Sequence, residues 1–113
     1  MEKNAKVVVI GGGVVGCSIL FHLAKFGLKD CILLERKELT SGSSWHAAGN
    51  VHVISNDPNI SRLMAYTIKL YKEIEEISGH STGFKPSGGF YLASNEVWDD
   101  YLKRERSKAR YMG

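Results

Sequence analysis

A glycine-rich turn lies near the amino end of the chain, directly between an apolar run and a segment of helical periodicity. Val7–Ile10 is a continuous β-branched run, which predicts a strand buried on both faces. Three glycines then follow, and the apolar spacing over residues 14–26 predicts a helix that Gly27 ends. Cys31–Leu34 predicts a second buried strand. The order strand, glycine turn, helix and strand predicts a Rossmann-like βαβ unit of the α/β class.

The glycines have the spacing Gly11-x-Gly13-x-x-Gly16, and each has a separate physical task. Gly11 permits the tight turn, Gly13 lets the backbone approach a pyrophosphate, and Gly16 allows the helix to pack closely on the strand. The helix N-terminus supplies free N–H groups and partial positive charge for the phosphates. Glu35 stands about 20 residues beyond the motif, where a carboxylate accepts hydrogen bonds from the adenosine ribose hydroxyls. That carboxylate disfavours the 2′-phosphate of NADP and leaves both NAD and FAD open.

Beyond Glu35 the chain alternates loops and amphipathic segments. Residues 40–50 are small and mostly polar, and they predict a loop that opens a short helix. Asp57 as N-cap and Pro58 at the first position predict a helix that ends at Gly79. Residues 88–93 predict a strand, and Ser94 or Asn95 would cap a last helix that reaches residue 111. The chain stops in charged helical sequence, so residues 1–113 are expected to be the N-terminal part of a single, longer domain.

Composition limits the partners and the compartment. The formal net charge is only +3, and much of it comes from one late segment, which predicts a solvated helix face and no nucleic-acid partner. Cys17 and Cys31 have no metal-ligand or Cys-x-x-Cys spacing, and both are expected to be small core residues in a reducing compartment, with no metal site. The first apolar run is too short for a membrane span or a signal-peptide core, so a cytoplasmic location is expected.

The loop after Glu35 carries the more specific signal. Residues 42–49 read Gly-Ser-Ser-Trp-His-Ala-Ala-Gly. This run resembles the FAD-binding loop of the amino-acid-oxidase-like flavoproteins, and it is most similar to the dimethylglycine dehydrogenase and sarcosine dehydrogenase family. The resemblance continues through Tyr66-x-x-Lys69-Leu70-Tyr71 and through residues 83–93, so it covers nearly the whole chain. It implies an incomplete FAD-binding βαβ unit.

The resemblance also implies a role for each matched residue. The glycines of the turn and Glu35 would bind the ADP half of FAD, while Arg36, Ser43 and Ser44 would contact ribose, pyrophosphate or ribityl groups. His46 matches the histidine to which several family members attach the flavin covalently, and a neutral imidazole nitrogen is a suitable nucleophile for that bond. Trp45 would either cover the flavin ring or pack in the core. The full candidate cofactor-binding set is Gly11, Gly13, Val14, Val15, Gly16, Glu35, Arg36, Ser43, Ser44, Trp45, His46 and Ala48.

The activity that the resemblance implies is oxidative demethylation of an N-methyl amine such as dimethylglycine or sarcosine. The flavin would supply the redox chemistry, with tetrahydrofolate as an acceptor of the one-carbon unit in the full-length protein and an unidentified electron acceptor. No catalytic acid or base is identifiable, and the 113 residues alone are expected to be inactive. Three alternatives stay open: a flavin enzyme for a D-amino acid or glycerol phosphate, a non-catalytic regulatory relative of the same fold, and an NAD-binding module.

Overall fold

The computed structural model describes residues 4–112, apart from the side chain of residue 112. Two compact units make up the chain, Met1–Asn50 and Val51–Gly113. The first contains β1 (Val7–Ile10), α1 (Val14–Lys25), β2 (Cys31–Leu34) and a 3₁₀ turn (Ser43–His46), and the second contains α2 (Pro58–Ser78) and α3 (Glu96–Met112).

The first unit is the predicted βαβ arrangement. Strands β1 and β2 run parallel, with Val7 opposite Cys31 and Ile10 opposite Leu34. A parallel pair requires a crossover connection, and α1 provides it. Helix α1 ends at Lys25, and Gly27 follows in the left-handed region with a φ of 87°. The prediction that Gly27 ends this helix is therefore confirmed.

The burial of the two strands differs from the prediction. Val9 lies against α1 and is 8% exposed, but Val8 and Ile10 on the opposite face are 49% and 85% exposed. Side chains of a strand alternate between the two faces of its sheet, and in the described residues of this unit α1 covers one face only. The prediction of strands buried on both faces is wrong here, as is the prediction that Cys17 and Cys31 are core residues, since both are half-buried.

Helix α2 has the predicted boundaries. The Asp57 carboxylate accepts hydrogen bonds from the N–H groups of Asn59 (2.7 Å) and Ile60 (3.2 Å), which satisfies two of the free donors at the helix start. Pro58 takes the first helical position, and Gly79 ends the helix with a φ of 69°.

The last predicted strand is absent, whereas the last helix is present. Residues 88–93 adopt no regular structure, Gly88 has a φ of 72°, and Phe90 is 97% exposed. A β-strand requires hydrogen bonds to a neighbouring strand, and none of the described residues pairs with this segment. Helix α3 begins where predicted, because the Asn95 side chain accepts a hydrogen bond from the Trp98 N–H at 3.0 Å.

Two lysines in the basic segment of α3 are paired with acids on the same helix. Lys103 lies 2.7 Å from Asp99, and this carboxylate raises the pKa of the Lys103 ammonium. Lys108 likewise lies 2.7 Å from Glu105. These pairs at helical spacing agree with the solvated face predicted from the sequence. In the part of the chain that the structure describes, no helix is both long enough and apolar enough to cross a membrane.

Candidate functional site

The glycine turn between β1 and α1 has the geometry that its spacing predicts. Gly11 has a φ of 103°, a conformation that favours glycine, and its N–H donates to the carbonyl of Leu34 at 2.8 Å. A Cβ atom on Gly16 would overlap the Gly11 carbonyl oxygen and would lie 3.5 Å from Val9 Cγ1. The turn and the helix are therefore too close at Gly16 to admit a side chain, which confirms the steric roles of Gly11 and Gly16.

The N-cap position of helix α1 is Gly13, which has no side chain to cap the helix. Gly13 has an extended backbone, and the N–H of Val14 donates instead to the Oγ atom of Ser44 at 2.9 Å. The side chains of Val14 and Val15 are 64% and 68% exposed, so the helix start faces solvent. Gly13 itself is tightly placed, because a Cβ atom there would lie 3.2 Å from the same Ser44 oxygen.

Glu35 organises the opposite side of the turn. Its Oε2 atom accepts a hydrogen bond from the Gly12 N–H at 2.7 Å, and its Oε1 atom accepts one from the Lys37 N–H at 2.9 Å. The Gly12 bond, and after it the Lys37 bond, hold the pKa of the Glu35 carboxyl below its ordinary value. The group is thus an ionised acceptor at neutral pH, and each oxygen keeps a lone pair that could accept a ribose hydroxyl.

The segment after Glu35 folds back onto the glycine turn. The N–H of Thr40 donates to the carbonyl of Gly12 at 2.9 Å, and a Cβ atom on Gly12 would lie 2.5 Å from the Leu39 side chain. Thr40 has a φ of 63°, which is uncommon for a β-branched residue. Neither this contact nor the capping role of Ser44 was predicted. The Thr-Ser-Gly-Ser run marks a loop, but it does not show which distant groups the loop contacts.

The remaining candidate residues lie on the surface beside this centre. The 3₁₀ turn confirms the short helix predicted in the loop, and it presents Trp45, which is 78% exposed, and His46, which is also exposed. Trp45 therefore does not pack in the core of the described unit. Ser43, at the start of the turn, Arg36, next to Glu35, and Ala48, two residues past the turn, are exposed as well. Among residues 4–112, no cluster of three or more metal-ligating side chains could hold a metal ion.

The arrangement has the elements of a dinucleotide-binding turn. Helix α1 begins directly after the glycine turn, Ser44 accepts the Val14 N–H, and an ionised carboxylate directly after β2 accepts the Gly12 N–H. The glycines of this cradle cannot carry a Cβ atom without overlap at Gly16 and close contacts at Gly12 and Gly13. The fold and the site thus define a Rossmann-type dinucleotide-binding unit.

Comparison with known proteins narrows this class. Residues 6–113 match the sequence profile described as FAD dependent oxidoreductase, and the chain belongs to this family. It is 43% identical over 107 residues to human mitochondrial dimethylglycine dehydrogenase, which covers 95% of this chain and 12% of that protein. It is 41% identical over 114 residues to human mitochondrial sarcosine dehydrogenase, covering 100% of this chain and 12% of that protein.

A solved structure has the same fold. The crystal structure of L-proline dehydrogenase from P. horikoshii superposes with a TM-score of 0.88 at 29% sequence identity, covering 100% of this chain and 29% of that one. The FAD-binding fold predicted from the glycine turn and the loop after Glu35 is thereby confirmed. The chain is an FAD-dependent oxidoreductase segment homologous to the dimethylglycine and sarcosine dehydrogenases, and it spans about an eighth of the length of those two relatives.

Proposed function

We propose that the protein carrying this segment is an FAD-dependent dehydrogenase or oxidase that demethylates an N-methyl amine, of which dimethylglycine and sarcosine are the leading candidates. The observation that carries the proposal is the joint presence of the Glu35 and glycine-turn cradle and the docked Ser44-Trp45-His46 turn. The two human relatives named above are dehydrogenases of these amines, and they support the same substrate class. Residues 1–113 would form the N-terminal part of one FAD-binding domain.

The roles of the residues follow from what each one offers. Glu35 would accept the ribose hydroxyls of FAD, and the N–H groups at the start of α1 other than that of Val14, which Ser44 accepts, would donate to its pyrophosphate. Val14, Val15, Arg36, Ser43 and Ala48 would line the same cofactor. The bound flavin would supply the two-electron redox chemistry that side chains lack.

His46 would lie beside the flavin ring and could carry it covalently. The imidazole is exposed on the 3₁₀ turn, so the described unit leaves it available to a ligand. The imidazole nitrogen would be the nucleophile for a bond to a flavin methyl carbon; the flavin methyl group and the imidazole would each lose a proton, and the two electrons released would pass to the electron acceptor of the protein. Trp45, adjacent to His46 and likewise exposed, would cover the ring.

Several finer expectations stay predictions. These are the electron acceptor, the capture of the one-carbon unit by tetrahydrofolate and the cytoplasmic location. The two human relatives are named as mitochondrial proteins, which makes a mitochondrial location the alternative to the cytoplasmic one.

The test is the visible spectrum of the full-length protein after acid precipitation. Flavin bands that stay with the pellet, and leave it in the His46→Ala variant, would support covalent FAD at His46. Flavin released to the supernatant would keep the flavoprotein and remove the covalent role. Reduction of the bound flavin by dimethylglycine or sarcosine, with D-alanine and glycerol 3-phosphate as controls, tests the substrate class. Protein that stays colourless even after incubation with FAD would refute the proposal.

A further inference from the structure

Helix α1 takes its N-terminal cap from a residue far along the chain. The N-cap position is Gly13, which offers no oxygen, and the Ser44 hydroxyl accepts the Val14 N–H from 30 residues away. The side chain of an N-cap residue normally accepts from the N–H of the second or third residue of its own helix, whereas Ser44 accepts from the first, Val14. The cap here is therefore also a tertiary contact, which joins the start of α1 to the turn Ser43–His46.

We propose that Ser44 is a positioning residue, whose bond to Val14 sets where Trp45 and His46 lie relative to the glycine turn. The inference rests on the proposed function, in which the glycine turn binds the ADP half of FAD and His46 lies beside the flavin ring. The Ser44 hydrogen bond would then fix the distance between these two parts of the site. His46 is two residues from Ser44 within one 3₁₀ turn, so the hydroxyl contact limits the positions that the imidazole can take.

A second hydrogen bond, from Thr40, also holds this segment against the glycine turn. The N–H of Thr40 donates to the Gly12 carbonyl at 2.9 Å, so residues 40–44 are held at both ends against the same glycine turn. Thr40 has a positive φ, and such a conformation persists only where its surroundings determine it. Without the Ser44 hydroxyl, the Thr40 hydrogen bond would remain, and the turn Ser43–His46 would be free to move relative to the glycine turn.

The chemistry of the cap predicts which substitutions preserve it. Alanine at position 44 removes the acceptor, whereas threonine keeps a hydroxyl that can accept the same N–H. The exposed Ser41, three residues earlier in the same segment, is the matched control, because Ser41→Ala deletes an equivalent hydroxyl outside this contact.

The helix cap and the positioning role are separable in a double variant. Serine at position 13 would place a hydroxyl at the N-cap itself, where Gly13 has a φ of −78° that any residue adopts. The Ser44 oxygen lies 3.2 Å from that added Cβ atom, and alanine at 44 makes room. Gly13→Ser with Ser44→Ala should cap α1 locally and leave the turn unanchored.

The experiment is amide hydrogen exchange by mass spectrometry on the full-length protein, read in peptides that cover the start of α1 and residues 43–48. Wild type and variants are all compared free of FAD, because a Cβ atom at position 13 would obstruct the pyrophosphate. In Ser44→Ala, exchange should rise about fivefold in both segments, the effect of losing one capping bond. In the double variant the start of α1 should recover while residues 43–48 stay unprotected. Ser44→Thr and Ser41→Ala should match the wild type.

Two results would overturn the proposal: recovery of residues 43–48 in the double variant, or a Ser44→Thr variant as unprotected as Ser44→Ala. If Ser44→Ala does not fold, the double variant and Ser44→Thr still decide between the two roles. A second readout is the visible circular dichroism of bound flavin, which should change in Ser44→Ala and return in Ser44→Thr. If the wild-type protein binds no flavin, the proposed function is refuted. The exchange pattern would still test the role of Ser44 in that case.

Discussion

Gly16→Ala is the substitution for which the structure gives the sharpest expectation. In most helix interiors this change stabilises, since alanine is favoured over glycine by about 1 kcal/mol. Here the added Cβ atom would overlap the Gly11 carbonyl oxygen and come within 3.1 Å of the Gly11 carbonyl carbon. The obstacle is backbone, so no rotamer change can relieve it.

The surroundings of Gly11 decide the size of the effect. Its N–H is bonded to Leu34 on β2 at 2.8 Å, so the carbonyl can retreat only if β1 and β2 shift or α1 moves outward. Overpacking of this kind costs about 3 kcal/mol at the upper end of its usual range. With the gain of about 1 kcal/mol in helix propensity, the net loss in free energy of unfolding is about 2 kcal/mol.

Urea unfolding of the full-length protein measures this loss. Gly42→Ala is the matched control, because Gly42 has a negative φ and no atom within 4 Å of its added Cβ, so its effect should stay within about 0.5 kcal/mol. A Gly16→Ala protein as stable as the wild type, or more stable, would show that the helix and the turn are not in the close contact described.

Three further predictions concern single side chains. Glu35 has a lowered pKa in the folded protein, so its contribution to stability should be complete above the ordinary pKa of 4.5. That contribution should disappear as pH falls through the lower pKa of the folded state. The difference in urea midpoint between the wild type and Glu35→Gln, followed against pH, measures it. Asp57→Ala should lower the free energy of unfolding by about 1 kcal/mol through loss of the α2 cap, and Asp57→Asn should retain most of it in thermal unfolding. Thr40→Gly should raise stability by about 0.5–1 kcal/mol, because it removes left-handed strain of about 1–2 kcal/mol and adds a smaller chain-entropy cost.

Each of these has a contrary result. If the urea midpoint of Glu35→Gln changes with pH in parallel with that of the wild type, the Glu35 carboxylate does not stabilise the glycine turn. Asp57→Asn as unstable as Asp57→Ala would assign the effect to charge instead of capping. A Thr40→Gly protein less stable than the wild type would show that the threonine side chain contributes more than its backbone conformation costs.

The local pattern of the sequence was enough to predict the βαβ unit, the helix boundaries and the steric roles of Gly11 and Gly16. Periodicity separated strand from helix, and capping residues such as Asp57 and Gly79 act on amide groups a few residues away, so their effect is readable from spacing. The glycine spacing worked for the same reason, since the overlap at Gly16 is with a carbonyl only five residues earlier.

Features that depend on distant partners were decided by the tertiary structure. Burial on both faces of β1 and a strand at residues 88–93 were wrong predictions, because both need a covering layer or a pairing strand that no local pattern specifies.

The same distinction applies within the site. The sequence by itself determined that Glu35 would end β2 beside the glycine turn, because the carboxyl end of one parallel strand lies beside that of its neighbour. Only the tertiary structure decided that the Glu35 carboxylate bonds the Gly12 N–H, and that Ser44 caps α1 in place of Gly13. A hydrogen bond across 30 residues depends on the path of the intervening chain, which the left-handed Thr40 redirects.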